Sequence, residues 1–243
     1  MKVFRRLTAP QYAYQLARYV GPWALCIALM AFGVGLWGAL WVAPPDYQQG
    51  EAYRILFIHV PAAALSLGLY SVMACSSFVF GVWHVKVLDA LAEACAPLGA
   101  LFAALTLVTG SLWGKPMWGT YWIWDARLTS ELILFFIYMG IMGLRHTLRA
   151  TNMGSQAVTI MTLVGAINLP IIHYSVQWWH TLHQGPTILK WGTPAIAPSM
   201  LWPLLWMFGA LTAFSMAWIS LRFRESLLQR YADARWVMLL RAG

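Results

Sequence analysis

Apolar residues run through this chain in six stretches, each near the length of about 20 residues that a helix needs to cross a bilayer. They lie at roughly 20–43, 55–83, 92–112, 129–144, 156–175 and 200–221. The pattern predicts an all-α integral membrane protein with six transmembrane helices, organised as a single membrane domain over 1–243. The run at 55–83 is long enough to tilt or project beyond the bilayer. The run at 129–144 is short, but it is continuous from Leu132 to Leu144. Pro170 is expected to kink or end the fifth helix. The first run is too long for the h-region of a cleaved signal, roughly 7–15 residues, and suits a first span. No internal repeat, low-complexity segment or linker divides the chain. Composition agrees with this class: 60% of residues are hydrophobic and 10% charged, against roughly 25% charged in soluble domains.

The polar intervals set the expected orientation. One set carries Lys2, Arg5, Arg6, Arg18, Lys86, Arg145, Arg149, Arg222, Arg224, Arg230, Arg235 and Arg241, twelve of the sixteen Lys and Arg. The opposite set carries only Arg54, Lys115, Arg127 and Lys190. The positive-inside rule then predicts cytoplasmic termini and outward-facing loops at about 44–54, 113–128 and 176–199. The net charge of +8 is spread between apolar runs rather than gathered into a nucleic-acid-binding surface, so no nucleic-acid partner is expected. After Leu221, Leu227, Leu228, Tyr231 and Trp236 among arginines predict an amphipathic basic helix resting on anionic lipid. Cys26, Cys75 and Cys95 all sit in apolar runs without a CxxC, and read as buried small residues.

The second outer loop holds the densest chemistry: WGKPMWGTYWIWDAR at 113–127. It places Trp113, Trp118, Trp122, Trp124, Tyr121 and Asp125 between two apolar runs. A helical reading of 118–125 puts Trp118, Trp122 and Asp125 at i, i+4 and i+7, on one face. That face is an aromatic shelf at interface depth, suited to a flat, greasy ligand with charged edges such as a porphyrin. An interfacial aromatic belt is the plainer reading, but a belt needs scattered rings rather than a block with Gly, Pro and an acid built in.

The six histidines sort by side. His84 and His146 fall at cytoplasmic helix ends and read as solvated or helix-capping. His59, His173, His180 and His183 fall near the outer face. His59, in FIHVP at 57–61, lies about one turn inside the bilayer edge, where an ionisable group is costly without a partner. His183 lies on the third outer loop, just before Gly185 and Pro186. One histidine from each of two segments beside an aromatic shelf is an arrangement that ligates haem iron axially; taken singly, each also reads as a hydrogen-bonded structural residue. His173 and His180 rank below them. A zinc site at His180 and His183 lacks a clear completing carboxylate or thiol.

The tryptophan block resembles the WWD signature of the haem-handling proteins, in Trp113, Gly114, Pro116, Trp118, Gly119, Trp122, Trp124, Asp125, Arg127, Leu128 and Thr129. With six spans, some 240 residues, His59-Val-Pro61 and TLHQG at 181–185, the whole chain is similar to the CcmC family of the bacterial cytochrome c maturation system. The larger WWD relatives have more spans and extra histidines within the membrane. The resemblance implies a cargo of haem b, held at the periplasmic face of the inner membrane and presented to the haem chaperone CcmE. CcmE takes it up covalently on a histidine of its own. CcmD, a small one-span protein, and the CcmAB ATP-binding-cassette module are the other implied partners. By the same resemblance His59 and His183 are the axial ligands. Trp113, Trp118, Trp122, Trp124 and Asp125 then form a platform for the haem edge and for CcmE.

Arg127, Arg54 and Lys115, in that order, are the expected partners of the anionic propionates, because arginine pairs a carboxylate through two hydrogen bonds. For these three, lipid headgroup contact is the plainer role. Asp125 is expected either to cap the fourth helix or to orient an indole N–H or Arg127. No nucleophile–base pair is evident, so the expected role is a haem-presenting membrane chaperone rather than an enzyme. Two other readings stay open: a cytochrome b type electron carrier, whose histidines would lie deeper in the bundle, and the permease half of an exporter.

Overall fold

The structure, a computed structural model, describes residues 8–148, 154–179, 181, 183 and 196–242. Among these, six helical segments are long and apolar enough to cross a membrane: Pro10–Val42, Glu51–Trp83, Lys86–Trp118, Ala126–Thr147, Gly154–Trp178 and Pro198–Arg230. The all-α, six-span membrane architecture is as the apolar pattern predicts. The helices are α1 (Pro10–Trp37), α2 (Leu56–Trp83), α3 (Lys86–Trp118), α4 (Ala126–Thr147), α5 (Gly154–Gly165), α6 (Asn168–Trp178), α7 (Pro198–Arg230) and α8 (Arg235–Ala242). A π-helical turn, Gly38–Val42, extends α1, and a 3-10 turn, Glu51–Ile55, leads into α2.

Most spans outrun their apolar stretches. The third covers 33 residues, a rise of about 50 Å across a hydrocarbon core of roughly 30 Å. Its ends therefore stand at headgroup depth, which places Lys86 at one interface and the block from Trp113 to Trp118 at the other. This corrects the expectation of a loop over 113–128: the first part of the block is the last turn and a half of α3. The loop proper is 119–125.

Small residues let the helices close together. On α1 the small buried residues are Ala13, Ala17, Ala24, Ala28, Ala31 and Gly35, a single stripe that packs along α7. A Cβ on Gly35 would lie 2.9 Å from Met207 Sδ and 3.1 Å from its backbone nitrogen. α3 lies against α2, α4 and α7 and carries buried Ala90, Ala96, Gly99, Ala100 and Ala103. Two fully buried tyrosines fill the centre, Tyr70 and Tyr138, edge to face at 5.1 Å. Each packs on a glycine, Tyr138 over Gly99 and Tyr70 over Gly165; a Cβ at Gly99 would overlap the Tyr138 ring, and one at Gly165 the Tyr70 hydroxyl. Their hydroxyls donate to backbone carbonyls, Tyr138 to Ser66 at 2.8 Å and Tyr70 to Thr162 at 3.0 Å, so neither is left unsatisfied in the apolar interior.

The fifth span is broken, but the break lies upstream of Pro170. Proline has no N–H for the carbonyl four residues back, and its ring crowds that carbonyl. The residue four back is Ala166, and the break falls there: α5 ends at Gly165, α6 begins at Asn168, and the Ala166 carbonyl accepts from Leu169 N instead, at 3.1 Å.

In the C-terminal region the sixth span continues as helix to Arg230 and α8 follows over Arg235–Ala242. Leu227 and Trp236 pack with Tyr14, Val87 and Ala90, while Met238, Leu239 and Leu240 of α8 are exposed. Arg145 and Arg230, read as interfacial cations, converge on buried Asp89. Arg145 reaches it at 2.7 and 3.2 Å and Arg230 at 2.6 Å, while Arg230 also meets Glu93 at 2.6 Å. This network ties α3, α4 and α7 at one end of the bundle. His84, in the left-handed conformation at φ 55°, terminates α2 as a capping residue. Cys95 is buried, but Cys26 and Cys75 are exposed on outer helix faces, contrary to the expectation that all three are buried.

Candidate functional site

The opposite end of the bundle gathers the loop at 43–50, the loop at 119–125, and Thr181 and His183. Each is fastened by identifiable bonds. Asp46 Oδ1 accepts from the backbone nitrogens of Gln48 and Gln49 at 2.9 and 2.8 Å, and Gly50 turns the chain at φ 57°. That turn presents Gln49, whose Oε1 accepts from the indole Nε1 of Trp113 at 2.9 Å. Tyr53 OH donates to the Pro44 carbonyl at 2.7 Å. Beneath lies an apolar floor of Tyr53, Leu56, Phe57, Leu204 and Met207.

His59 sits on the first turn of α2 against α3. Its Nδ1 is 3.0 Å from Thr109 Oγ1, and Trp113 meets the ring edge on at 5.7 Å. Gly110 makes the approach possible, since a Cβ there would stand 3.0 Å from His59 Cε1. Thr109, Gly110 and Trp113 share one side of α3 by their spacing and form a seat for the imidazole. His183 is held in a comparable way. Its Nδ1 is 3.0 Å from Asp125 Oδ2, and Trp118 meets its ring at 4.9 Å. Burial holds the His183 imidazole below its usual range against the opposing pull of Asp125, and Arg127 adds to the lowering. In the neutral ring, Nδ1–H donates to the Asp125 carboxylate and Nε2 carries the lone pair.

The loop carrying Asp125 is not a helix. α3 stops at Trp118 with Gly119 at φ 75°, and 120–125 runs non-helically to the start of α4. Trp118, Trp122 and Asp125 therefore do not share a helical face, which corrects that expectation; Gly119 in the left-handed region ends the helix. Gly114 clears space for Trp118 one turn on, where a Cβ would meet the indole at 3.0 Å. Asp125 caps α4, its Oδ1 accepting from Leu128 N at 2.8 Å, while Oδ2 serves His183. One carboxylate thus does the expected capping and an unforeseen second task. Trp122 and Trp124 meet edge to face at 5.4 Å. Trp124 is 75% exposed, and the buried Nε1 of Trp122 has no hydrogen-bond partner among the described residues.

The three cations differ. Arg127 makes no side-chain hydrogen bond or ion pair among the described residues, and it stands two residues after Asp125 at the start of α4. Arg54 is committed to Glu51 and to the Ala39 carbonyl at the end of the first span. Lys115 donates to the Gly119 carbonyl at 3.0 Å and lies 5.3 Å from the Tyr121 ring centre. His173 is exposed on α6 beside Tyr174 rather than lining a cavity. His180 and Lys190 lie outside the described residues. No cluster of three or more His, Cys, Asp or Glu able to hold a bare metal ion occurs among the described residues. Two separate imidazoles, each with Nδ1 engaged by an oxygen, suit an iron whose other ligands come with it. Thr109, Gly110 and Gln49 are the contributors that reading the sequence missed. The detectable signal was the four-residue step from Thr109 to Trp113 at the end of an amphipathic run.

Comparison with known proteins bears on this geometry. The chain matches the family model of CcmC, heme exporter protein C, over residues 3–238. It is 43% identical over 245 residues to heme exporter protein C of Escherichia coli K12, covering 100% of this chain and 98% of that one. With the protein of the same name from Haemophilus influenzae it shares 46% over 233 residues, 95% and 94% of the two chains. With that from Bradyrhizobium diazoefficiens it shares 44% over 224 residues, 92% and 85%. Spread over nearly the full length, this similarity places the chain in the CcmC family of heme exporter proteins.

Proposed function

We propose that this protein holds haem b between His59 and His183 at the outer face of the bacterial inner membrane and delivers it to the haem chaperone CcmE. The family is named for haem export, and the residues here supply what holding a haem requires. The observation that carries the reading is the matched pair of imidazoles at one end of the bundle. Each has Nδ1 engaged by an oxygen of another segment, each is touched by a tryptophan of the WWD block, and neither Nε2 has a hydrogen-bond partner among the described residues. A histidine ligating iron normally donates its other N–H to an acceptor, which fixes tautomer and ring orientation.

The surrounding residues fit the rest of the molecule. The apolar floor and the faces of Trp113 and Trp118 suit the porphyrin. Arg127, with no side-chain partner among the described residues and two residues from Asp125, is the first partner for a propionate, and the unpaired indole N–H of Trp122 is a second donor in want of an acceptor. A buried donor left unpaired costs about 1–3 kcal/mol, which an arriving carboxylate would recover. Arg54 and Lys115, already bonded, rank below. Trp124 offers an exposed aromatic face to CcmE. The charge bias supports cytoplasmic termini and a periplasmic site. CcmD and the CcmAB module are the remaining proposed partners.

The test is chaperone loading in cells that express this protein with CcmE. Wild type should give covalent haem on CcmE, and should accumulate haem itself when CcmE is absent. His59→Ala and His183→Ala should each reduce both signals severalfold. Normal loading by both variants would overturn the reading.

A further inference from the structure

Beyond the two histidines, the hydrogen bonding around His59 identifies a residue that nothing in the WWD block contains. We infer that Thr109 is a positioning residue: its hydroxyl fixes the His59 imidazole in the tautomer that turns a bare Nε2 towards the cargo. The inference rests on His59 being an axial ligand.

The argument is one of donors and acceptors. A threonine hydroxyl has one proton and two lone pairs. Thr109 Oγ1 is 2.6 Å from the Leu105 carbonyl and 3.4 Å from that of Thr106. Both are pure acceptors, and the shorter contact takes the proton. At His59, 3.0 Å away, the hydroxyl can therefore only accept, so Nδ1 must donate. With the proton on Nδ1, the lone pair of the neutral ring resides on Nε2. Gly110 and Trp113 restrict the ring from its flank and its edge, but neither distinguishes one nitrogen from the other. Thr109 does. It sits one turn before Trp113 on α3, so His59 is positioned from the same helix that carries the start of the WWD block.

The two imidazoles are supported unequally. His183 has a carboxylate and His59 a neutral hydroxyl. A stronger acceptor gives the ring more anionic character and binds iron more firmly. The Thr109 effect is therefore expected to be real but smaller than that of Asp125.

The experiment compares Thr109→Val, Thr109→Ala and Thr109→Ser with wild type and His59→Ala, each purified in detergent and checked for a monodisperse, helical state. Two quantities are read: haem retained per protein and the midpoint potential of the bound haem. Loss of the hydroxyl removes the acceptor that favours ferric iron, so Thr109→Val and Thr109→Ala should retain severalfold less haem at a more positive potential. Thr109→Ser should restore both. If His59→Ala loses haem while Thr109→Val and Thr109→Ala match wild type, the inference is overturned and the ligand reading stands. If Thr109→Ser behaves like Thr109→Val, the hydroxyl is not the cause, and the inference is again overturned. If His59→Ala matches wild type in both quantities, the ligand reading itself fails and the inference falls with it.

Discussion

Asp125 is the residue on which most of the site turns. One carboxylate oxygen caps α4 through Leu128 N and the other accepts from His183. Asparagine caps a helix about as well as aspartate, but it has a single oxygen. With that oxygen spent on the cap, its amide would point N–H groups at the donor on His183. Asp125→Asn should therefore leave thermal stability within a few tenths of a kcal/mol while weakening haem binding about 10–100-fold. Haem titration beside a thermal melt separates the two effects. Equal affinity would deny that the carboxylate supports a ligand. At this scale the sequence was partly legible. The two histidines, the tryptophans and Asp125 were named by type and position. Their pairing was not, because His183 and Asp125 are 58 residues apart and no periodicity links them. Thr109 and Gln49 are ordinary polar residues at helix and loop positions until a neighbour gives them a task.

The elements were legible in kind and less so in extent. Hydropathy finds the part of each helix that lies in hydrocarbon, so the spans were found but their interfacial ends were not. The last turns of α3 are tryptophan, glycine, lysine and proline, which read as a loop. The helix persists because Gly114 admits Trp118 and stops only at Gly119. Pro170 signalled the break in the fifth span, and the missing N–H moved it to Ala166. Close packing makes a sharp prediction here. Gly99 lies directly under Tyr138, so Gly99→Ala should destabilise the bundle by about 1–3 kcal/mol through overpacking, read as a lower unfolding temperature in detergent. Gly68, with nothing near its absent Cβ, serves as the comparison, and Gly68→Ala should be tolerated. Equal melting of the two variants would contradict the packing described.

At the scale of the whole molecule the two ends divide the work. One end is closed by Asp89 and Glu93 with Arg145 and Arg230, the last in contact with both acids, and the other presents imidazoles, indoles and Arg127. The charge count read the first set of arginines as topology signals alone. Their burial against Asp89 was hidden because the predicted third span began after it. Orientation has a direct check. Tyr47 is 91% exposed on the site-bearing end. In a background lacking Cys26, Cys75 and Cys95, Tyr47→Cys should react with a membrane-impermeant thiol reagent once the outer membrane is permeabilised. Labelling only after the inner membrane is also opened would reverse the topology.

The most direct measurement of the central claim is the electron paramagnetic resonance spectrum of the ferric, haem-loaded protein. Two imidazoles on one iron give a six-coordinate, low-spin signal. Wild type is expected to show it, and His59→Ala and His183→Ala are each expected to convert to high spin or to lose haem. A low-spin signal unchanged in both single variants would mean that the iron is held elsewhere, and would contradict the account.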